Sequence, residues 1–166
     1  MRAFSFIKNI SENGSELDLA GIKFGAEVAE NISVQNSQFS SCLFDEMLFK
    51  NVVFENVGGK DNNFRRCHFL GTKFVNCRLR EESFEFCIFA NCVFENCFLF
   101  EMSFHNTVIE SMCLEGCEVS SFGLFHSLLK RVDVKNCSIE RPCHYMPLST
   151  LDFDAQKQLE PLGLKL

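Results

Sequence analysis

The chain has 166 residues, with 16 Lys and Arg against 22 Asp and Glu, and a formal net charge of −6. This length fits one domain, and an acidic chain repels nucleic acid. No stretch approaches the roughly 18 apolar residues of a membrane helix, and Met1 to Ile10 lacks the apolar core of a signal peptide. We therefore expect a cytoplasmic protein that binds neither membrane nor DNA directly.

The first segment, residues 1–16, precedes a periodic region and is predicted to cover its open end. A solenoid exposes apolar surface at both ends unless a cap is present. Phe4, Phe6 and Ile7 supply the apolar side chains that such a cap needs.

From Leu19 to Ile139 every fifth residue is apolar except Gly59, with no insertion. Twelve of the 20 Phe occupy this column, including Phe44, Phe64 and Phe84. A period of five matches neither a helix nor a flat strand, whose periods are about 3.6 and 2.0. The pattern predicts a solenoid of very short strands, which excludes most catalytic folds.

A second column lies two residues before each apolar centre and contains eight of the ten cysteines: Cys42, Cys67, Cys77, Cys87, Cys92, Cys97, Cys117 and Cys137. Residues two apart share one face of an extended chain, so both columns point inward. Two residues after each centre, Asn or Gly is frequent, as at Asn51 and Gly71. Both tolerate the positive φ of a tight turn.

The stretches Cys42 to Glu46, Cys77 to Glu81 and Cys92 to Asn96 resemble the unit of pentapeptide repeat proteins. The resemblance covers residues 17–141 and implies an all-β fold, the right-handed quadrilateral β-helix. Four units would form each coil, giving about six coils. The core would then be a stack of Phe rings without room for a ligand.

The cysteines are predicted to be free thiols, because the solenoid dictates their spacing and Cys packs as a small hydrophobe. Stacked thiols point the same way, which disfavours bridges, and they lack the tetrahedral convergence of a zinc site. No catalytic constellation is evident around the four histidines. We expect no enzyme activity, no metal site and no cofactor.

Two local irregularities interrupt the columns. Gly58 and Gly59 occupy an outward position and a centre, where we expect a thin or bulged coil; a functional loop is the alternative. Glu82 and Asn62 occupy positions of small inward residues. For Glu82 we expect a widened corner that lets the carboxylate reach water, with a buried carboxyl of raised pKa as the alternative.

Charge is distributed unevenly along the chain. No Lys or Arg occurs from Glu81 to Leu129, a stretch that contains eight acids and would carry eight negative charges. Such a field attracts basic surfaces. Outward apolar residues in the same coils add a second candidate contact. The candidate partner-binding residues are Glu81, Glu85, Glu95, Glu101, Glu115, Phe98 and Phe100.

The last segment, residues 142–166, begins where Pro142 and Pro147 break the repeat. Asp152 or Asp154 is a suitable cap for a short helix that Pro161 and Gly163 would end. This tail resembles the dimerising tail of Qnr-type pentapeptide repeat proteins, so we expect a homodimer. The candidate interface residues are Leu151, Phe153, Leu159, Leu162, Leu164 and Leu166.

The resemblance extends to the Qnr, MfpA and McbG branch of the family in the uninterrupted repeat, the acidic zone and the tail. It implies a DNA-mimicking protein that modulates or protects DNA gyrase or topoisomerase IV. The chain lacks the long loops of Qnr proteins. The alternative is a protein-interaction scaffold with another partner, held through exposed aliphatic or Phe side chains.

Overall fold

Four flat faces of parallel strands surround a single core. The computed structural model describes Ser5, Phe6, Ile10, residues 16–141, His144, Tyr145, Thr150 and Leu151. Face 1 consists of β1 (Asp18–Ala20), β5 (Gln38–Ser40), β9 (Gly58–Lys60), β13 (Arg78–Arg80), β16 (Phe98–Phe100), β19 (Glu118–Ser120) and β22 (Ser138–Arg141). Face 2 consists of β2 (Lys23–Gly25), β6 (Leu43–Asp45), β10 (Asn63–Arg65), β14 (Ser83–Glu85), β17 (Ser103–His105), β20 (Gly123–Phe125) and β23 (His144–Tyr145).

The other two faces share three longer strands that continue around a corner. Face 3 consists of β3 (Val28–Glu30), β7 (Leu48–Lys50), β11 (His68–Leu70), the first halves of β15 (Ile88–Glu95), β18 (Val108–Glu115) and β21 (Leu128–Lys135), and β24 (Thr150–Leu151). Face 4 consists of β4 (Ser33–Gln35), β8 (Val53–Glu55), β12 (Lys73–Val75) and the second halves of β15, β18 and β21.

Strands that are one coil apart along the chain pair in parallel, so Phe64 lies beside Phe84 and Leu79 beside Leu99. This register confirms the predicted right-handed quadrilateral β-helix of about six coils. The register slips by one residue after Val119, where Ser120 pairs with Arg141, and by one more at β21, where Leu128 pairs with Thr150. Pairing continues beyond residue 141, because Leu124 pairs with Tyr145 and Leu129 with Leu151. The predicted C-terminal helix, with Phe153, Leu159, Leu162, Leu164 and Leu166, lies outside the described residues.

Stacked phenylalanine rings fill the core. Ring centroids are 4.6 Å apart for Phe44 and Phe64, 4.9 Å for Phe64 and Phe84, and 5.0 Å for Phe84 and Phe104. Offset stacking at this spacing is favourable beyond the area that each ring buries. At the N-terminal end the buried Phe6 ring lies across this stack, 5.9 Å from Phe44. Phe4 and Ile7 lie outside the described residues.

The corners require a left-handed backbone in every unit. Each residue two places after a centre, from Gly21 to Asn136, has positive φ. Asn and Gly accept this conformation, and stacked Asn side chains reinforce it, since Asn51 Nδ2 donates to Asn31 Oδ1 at 3.1 Å. Phe86 occupies one of these corners, with a φ of 54°, and the residue is 58% exposed.

Seven of the eight cysteines in the inward column are buried, and the nine described cysteines are free. Their thiols donate to backbone carbonyls of the preceding coil, as from Cys67 Sγ to Phe44 O at 3.2 Å. Cys137 is only partly buried, which differs from the prediction, because β22 ends face 1 and no further strand of the described residues covers it.

Replacing a stacked ring should cost far more stability than replacing the exposed one. Phe84→Ala should lower the free energy of unfolding by about 3–5 kcal/mol, because it leaves a cavity between two rings. Phe86→Asn is the matched control and should change it by less than about 0.5 kcal/mol, since Asn accepts positive φ. Urea unfolding followed by circular dichroism measures both; equal losses would contradict the assigned core.

The partly exposed thiols of Cys113 and Cys137 should react before the buried ones. Burial raises the pKa of the Cys92 thiol to about 11, so little nucleophilic thiolate forms there at neutral pH. A thiol reagent should count ten thiols in denaturant and far fewer in the native protein. Cys113→Ser should remove one fast-reacting thiol. If only eight thiols reacted in denaturant, the protein would contain a disulfide.

Candidate partner-binding surfaces

The acidic candidates occupy several faces and do not form one stripe. Glu95 and Glu115 lie side by side in register on face 4, and both are exposed. Glu101 is exposed at the corner that follows face 1, and the half-buried Glu81 lies one coil before it. Glu85 is half-buried on face 2. The fold therefore brings Glu95 and Glu115 together and keeps Glu85 apart from them.

Cations at the edges of the acidic zone neutralise part of it. Arg131 Nη2 lies 2.9 Å from Glu110 Oε1, and Arg80 Nη2 lies 3.8 Å from Glu81 Oε1. These side chains are largely exposed, so the pairs contribute little stability. They reduce the field at Glu81 and Glu110. The exposed acids outside these two pairs are Glu95, Glu101, Glu115 and Glu118.

Glu82 is buried, with 1% of its surface exposed, so the expected widened corner is wrong. The physical reason is Gly59: a Cβ there would collide with Glu82 Oε1, so the carboxyl fills the space of the missing side chain. Asn62 Nδ2 donates to Glu82 Oε1 at 3.1 Å, whereas Oε2 has no hydrogen-bond partner among the described residues. A cavity of about 30 Å³ adjoins it, roughly the room of one water molecule.

Burial raises the pKa of Glu82 to about 8, opposed by the hydrogen bond from Asn62 and assisted by the charges of Asp61 and Glu81. At neutral pH this carboxyl is therefore mostly protonated. The acidic zone carries about seven negative charges rather than the eight expected from the sequence.

Gly58 and Gly59 form the regular strand β9, so they neither bulge nor leave the wall as a loop. They line an open depression of about 410 Å³ on face 1, although both glycines are themselves buried. The Gln38 side chain lies across Gly58, where a Cβ would collide with its amide. Lys60, Arg78 and Arg80 line this depression.

Phe98 and Phe100 lie next to these cations, on the following strand of face 1. The guanidinium carbon of Arg78 is 5.3 Å from the centroid of Phe98, and that of Arg80 is 5.5 Å from the centroid of Phe100. Both rings are half-buried as a result, which leaves less aromatic surface than the sequence predicts.

The outward column of face 3 consists largely of aliphatic residues. Leu48, Ile88, Val108 and Leu128 are half-buried, and Val28 is 52% exposed.

Among the described residues, no three His, Cys, Asp or Glu side chains are grouped so that they could hold a metal. In the same part of the chain, no helix has the length and apolar character needed to span a membrane.

Residues 26–94 match the family model described as the SV2A/B/C luminal domain. No curated protein sequence is significantly similar to the chain. Full-length QnrB1, described as a plasmid-mediated fluoroquinolone resistance protein, is 15% identical; the match covers 90% of this chain and 99% of QnrB1, with a TM-score of 0.47.

Two cyanobacterial pentapeptide repeat proteins are similar in the same way. Rfr23 from Cyanothece 51142 is 10% identical, with 88% of this chain and 97% of Rfr23 covered and a TM-score of 0.46. HetL from Nostoc sp. PCC 7120 is 8% identical, with 91% and 81% covered and a TM-score of 0.32. These likenesses concern the fold and do not extend to function.

The sequence interpretation did not identify the basic side of face 1 as a candidate site, because it weighed the acids and the outward apolar residues as contacts. Lys60 and Arg80 are one coil apart and therefore adjacent in register. The double glycine that precedes Lys60 in β9 was the available signal, because glycine inside a strand often marks a close approach to the backbone.

Removing the Glu82 carboxyl should remove a pH-dependent loss of stability. A raised folded pKa gives stability that is complete below the unfolded pKa of 4.5 and declines as the pH rises towards about 8. Glu82→Gln should therefore gain stability relative to wild type between pH 5 and 8, with the difference constant above about pH 9. Thermal unfolding across this range measures the gain.

The matched control for Glu82 is Glu118→Gln, which removes an exposed carboxylate of face 1. Its difference from wild type should change little over the same pH range. A difference for Glu82→Gln that is independent of pH would contradict the protonated state of Glu82.

Proposed function

We propose that this chain is a non-enzymatic pentapeptide repeat protein that binds a protein partner through the acidic coils from Glu81 to Glu118. The partner surface would be basic and built to hold nucleic acid, so the solenoid acts as a DNA mimic. DNA gyrase and topoisomerase IV are the candidate partners, from the resemblance to the Qnr, MfpA and McbG branch.

The observation that supports this function best is the side-by-side arrangement of Glu95 and Glu115. These exposed carboxylates are direct neighbours on adjacent strands, where like charges destabilise a sheet. A basic partner would relieve this repulsion, so part of the cost in folding would return as binding free energy.

The remaining exposed acids extend this surface around the neighbouring corner. Glu115 and Glu118 are separated only by Gly116 and Cys117, and Glu101 lies one coil earlier. A partner that wraps two sides of the rod would therefore contact more of these charges than a partner that binds a single face. Steering by such a field accelerates association and weakens with salt.

The proposal includes the setting of the protein. A reducing cytoplasm suits the nine free cysteines. The chain would bind no membrane and no nucleic acid directly, and would act as a homodimer through its tail. Of the interface candidates only Leu151 is described, paired with Leu129 on face 3, and light scattering of the intact chain tests the dimer.

A protein-interaction scaffold is the second candidate, and Phe98 and Phe100 are the observation that favours it. Their rings are 6.2 Å apart and nearly parallel, at 4°, and part of each ring faces outward. Aromatic side chains held in place in this way are common anchors of protein interfaces.

Neutralising the exposed acids should weaken binding without altering the fold. We expect Glu95→Gln, Glu101→Gln and Glu115→Gln together to lower the affinity for gyrase at least about tenfold at low salt, because these carboxylates would face cations of the partner. Biosensor binding and a gyrase supercoiling assay with and without ciprofloxacin measure the effect.

The control variant also loses three carboxylates, but outside the acidic coils. It combines Asp18→Asn, Asp133→Asn and Glu140→Gln, all at exposed positions. It should bind within about twofold of wild type, since screening confines each charge to about 8 Å at physiological salt. Equal binding by the acidic-coil variant and wild type would refute the mimicry. Loss of binding on Phe98→Ala would instead support the scaffold.

A further inference from the structure

The depression over Gly58 and Gly59 has the chemistry of an anion site. Besides Lys60, Arg78 and Arg80 it is lined by the polar side chains of Gln38, Ser40 and Asn76. Its volume of about 410 Å³ lies in the range of small-molecule sites. The acidic coils assigned to the partner contribute none of these lining residues.

The strand register packs the three cations closely. Arg80 lies directly beside Lys60 on the next strand, about 4.8 Å away at the backbone, and Arg78 lies two residues along, about 6.6 Å from Arg80. Like charges in adjacent positions of a sheet are destabilising, so an anion held among them would relieve the repulsion. Among the described residues, Arg80 forms an ion pair with Glu81, at 3.8 Å from Nη2 to Oε1, a long contact that does not involve Lys60 or Arg78.

The guanidinium groups are held in place before a ligand arrives. Arg78 and Arg80 lie over the Phe98 and Phe100 rings, which restricts the rotation of two long side chains. Order present before binding lowers the entropy cost of association. Guanidinium forks also match the geometry of phosphate oxygens, where they donate paired hydrogen bonds.

Glycine forms the floor of the depression, beneath the Gln38 side chain. Gly58 occupies the outward column of face 1, where the neighbouring coils have Gln38 and Arg78. Its φ is not positive, so the backbone itself would accept a larger residue; Gly58 is buried, and the Gln38 amide occupies the place of its missing side chain. The Gln38 amide covers part of this floor and can rotate away because it is the end of a flexible, exposed side chain.

We propose that this depression binds a phosphate-bearing small molecule through Lys60, Arg78 and Arg80. The spacing of the cations suits one phosphoryl group or two adjacent ones. The ligand binds on face 1, whereas a partner of the acidic coils contacts the later part of the rod.

The test uses the intact chain and inorganic pyrophosphate, titrated by calorimetry at low and physiological salt. Arg78→Gln with Arg80→Gln should lower the affinity at least about tenfold, because two charge-assisted contacts are lost. Gly58→Val should lower it as well without changing the charge, because the added side chain and the displaced Gln38 amide would fill the depression. Circular dichroism confirms that each variant retains the fold.

The charge control is Lys73→Gln with Lys135→Gln, which removes two exposed cations outside the depression. It should bind pyrophosphate within about twofold of wild type, beyond the general effect of net charge. An equal loss in the control, or no binding of pyrophosphate by wild type, would overturn the proposal. Binding of a Glu-rich peptide in place of pyrophosphate would also overturn it, since the depression would then recognise carboxylates of a protein.

Discussion

The parallel register between successive coils is the constraint on which the rest of this molecule depends. Corner amides donate to carbonyls of the next coil, as from Asn51 N to Leu70 O at 2.8 Å and from Asn96 N to Glu115 O at 2.8 Å. This ladder satisfies the backbone only if every unit turns through a left-handed residue. Side chains one coil apart are therefore neighbours, and each column of the rod behaves as one packing unit.

The surroundings of Glu82 show how a residue that departs from the repeat is accommodated by residues of the neighbouring coils. The missing side chain of Gly59 on one coil is replaced by the carboxyl of Glu82 from the next coil. Asn62 connects this carboxyl to the wall by donating to Phe39 O at 2.9 Å, while its Oδ1 accepts from Cys42 N–H at 2.9 Å. The polar groups are thus accommodated as a chain, and the buried Oε2 is the part that costs free energy.

The same register gives face 1 a sequence of chemistries along the rod. Arg78 and Arg80 are followed one coil later by Phe98 and Phe100, and after one further coil by Glu118. A basic depression, an aromatic band and an acidic side chain therefore share one surface. The two proposed sites adjoin at Arg80, which contacts Glu81.

The sequence by itself determined the architecture, because a period of five with Phe, Cys and Asn in constant positions is compatible with little else. The inward columns, the left-handed corners and most of the buried cysteines follow from it. The tertiary structure decided what a single strand cannot show: that Glu82 fills the space left by Gly59, and that Phe98 and Phe100 lie under arginines. These contacts depend on the volume and charge of residues one coil away. The periodicity identifies those residues as neighbours but does not determine how they pack or pair.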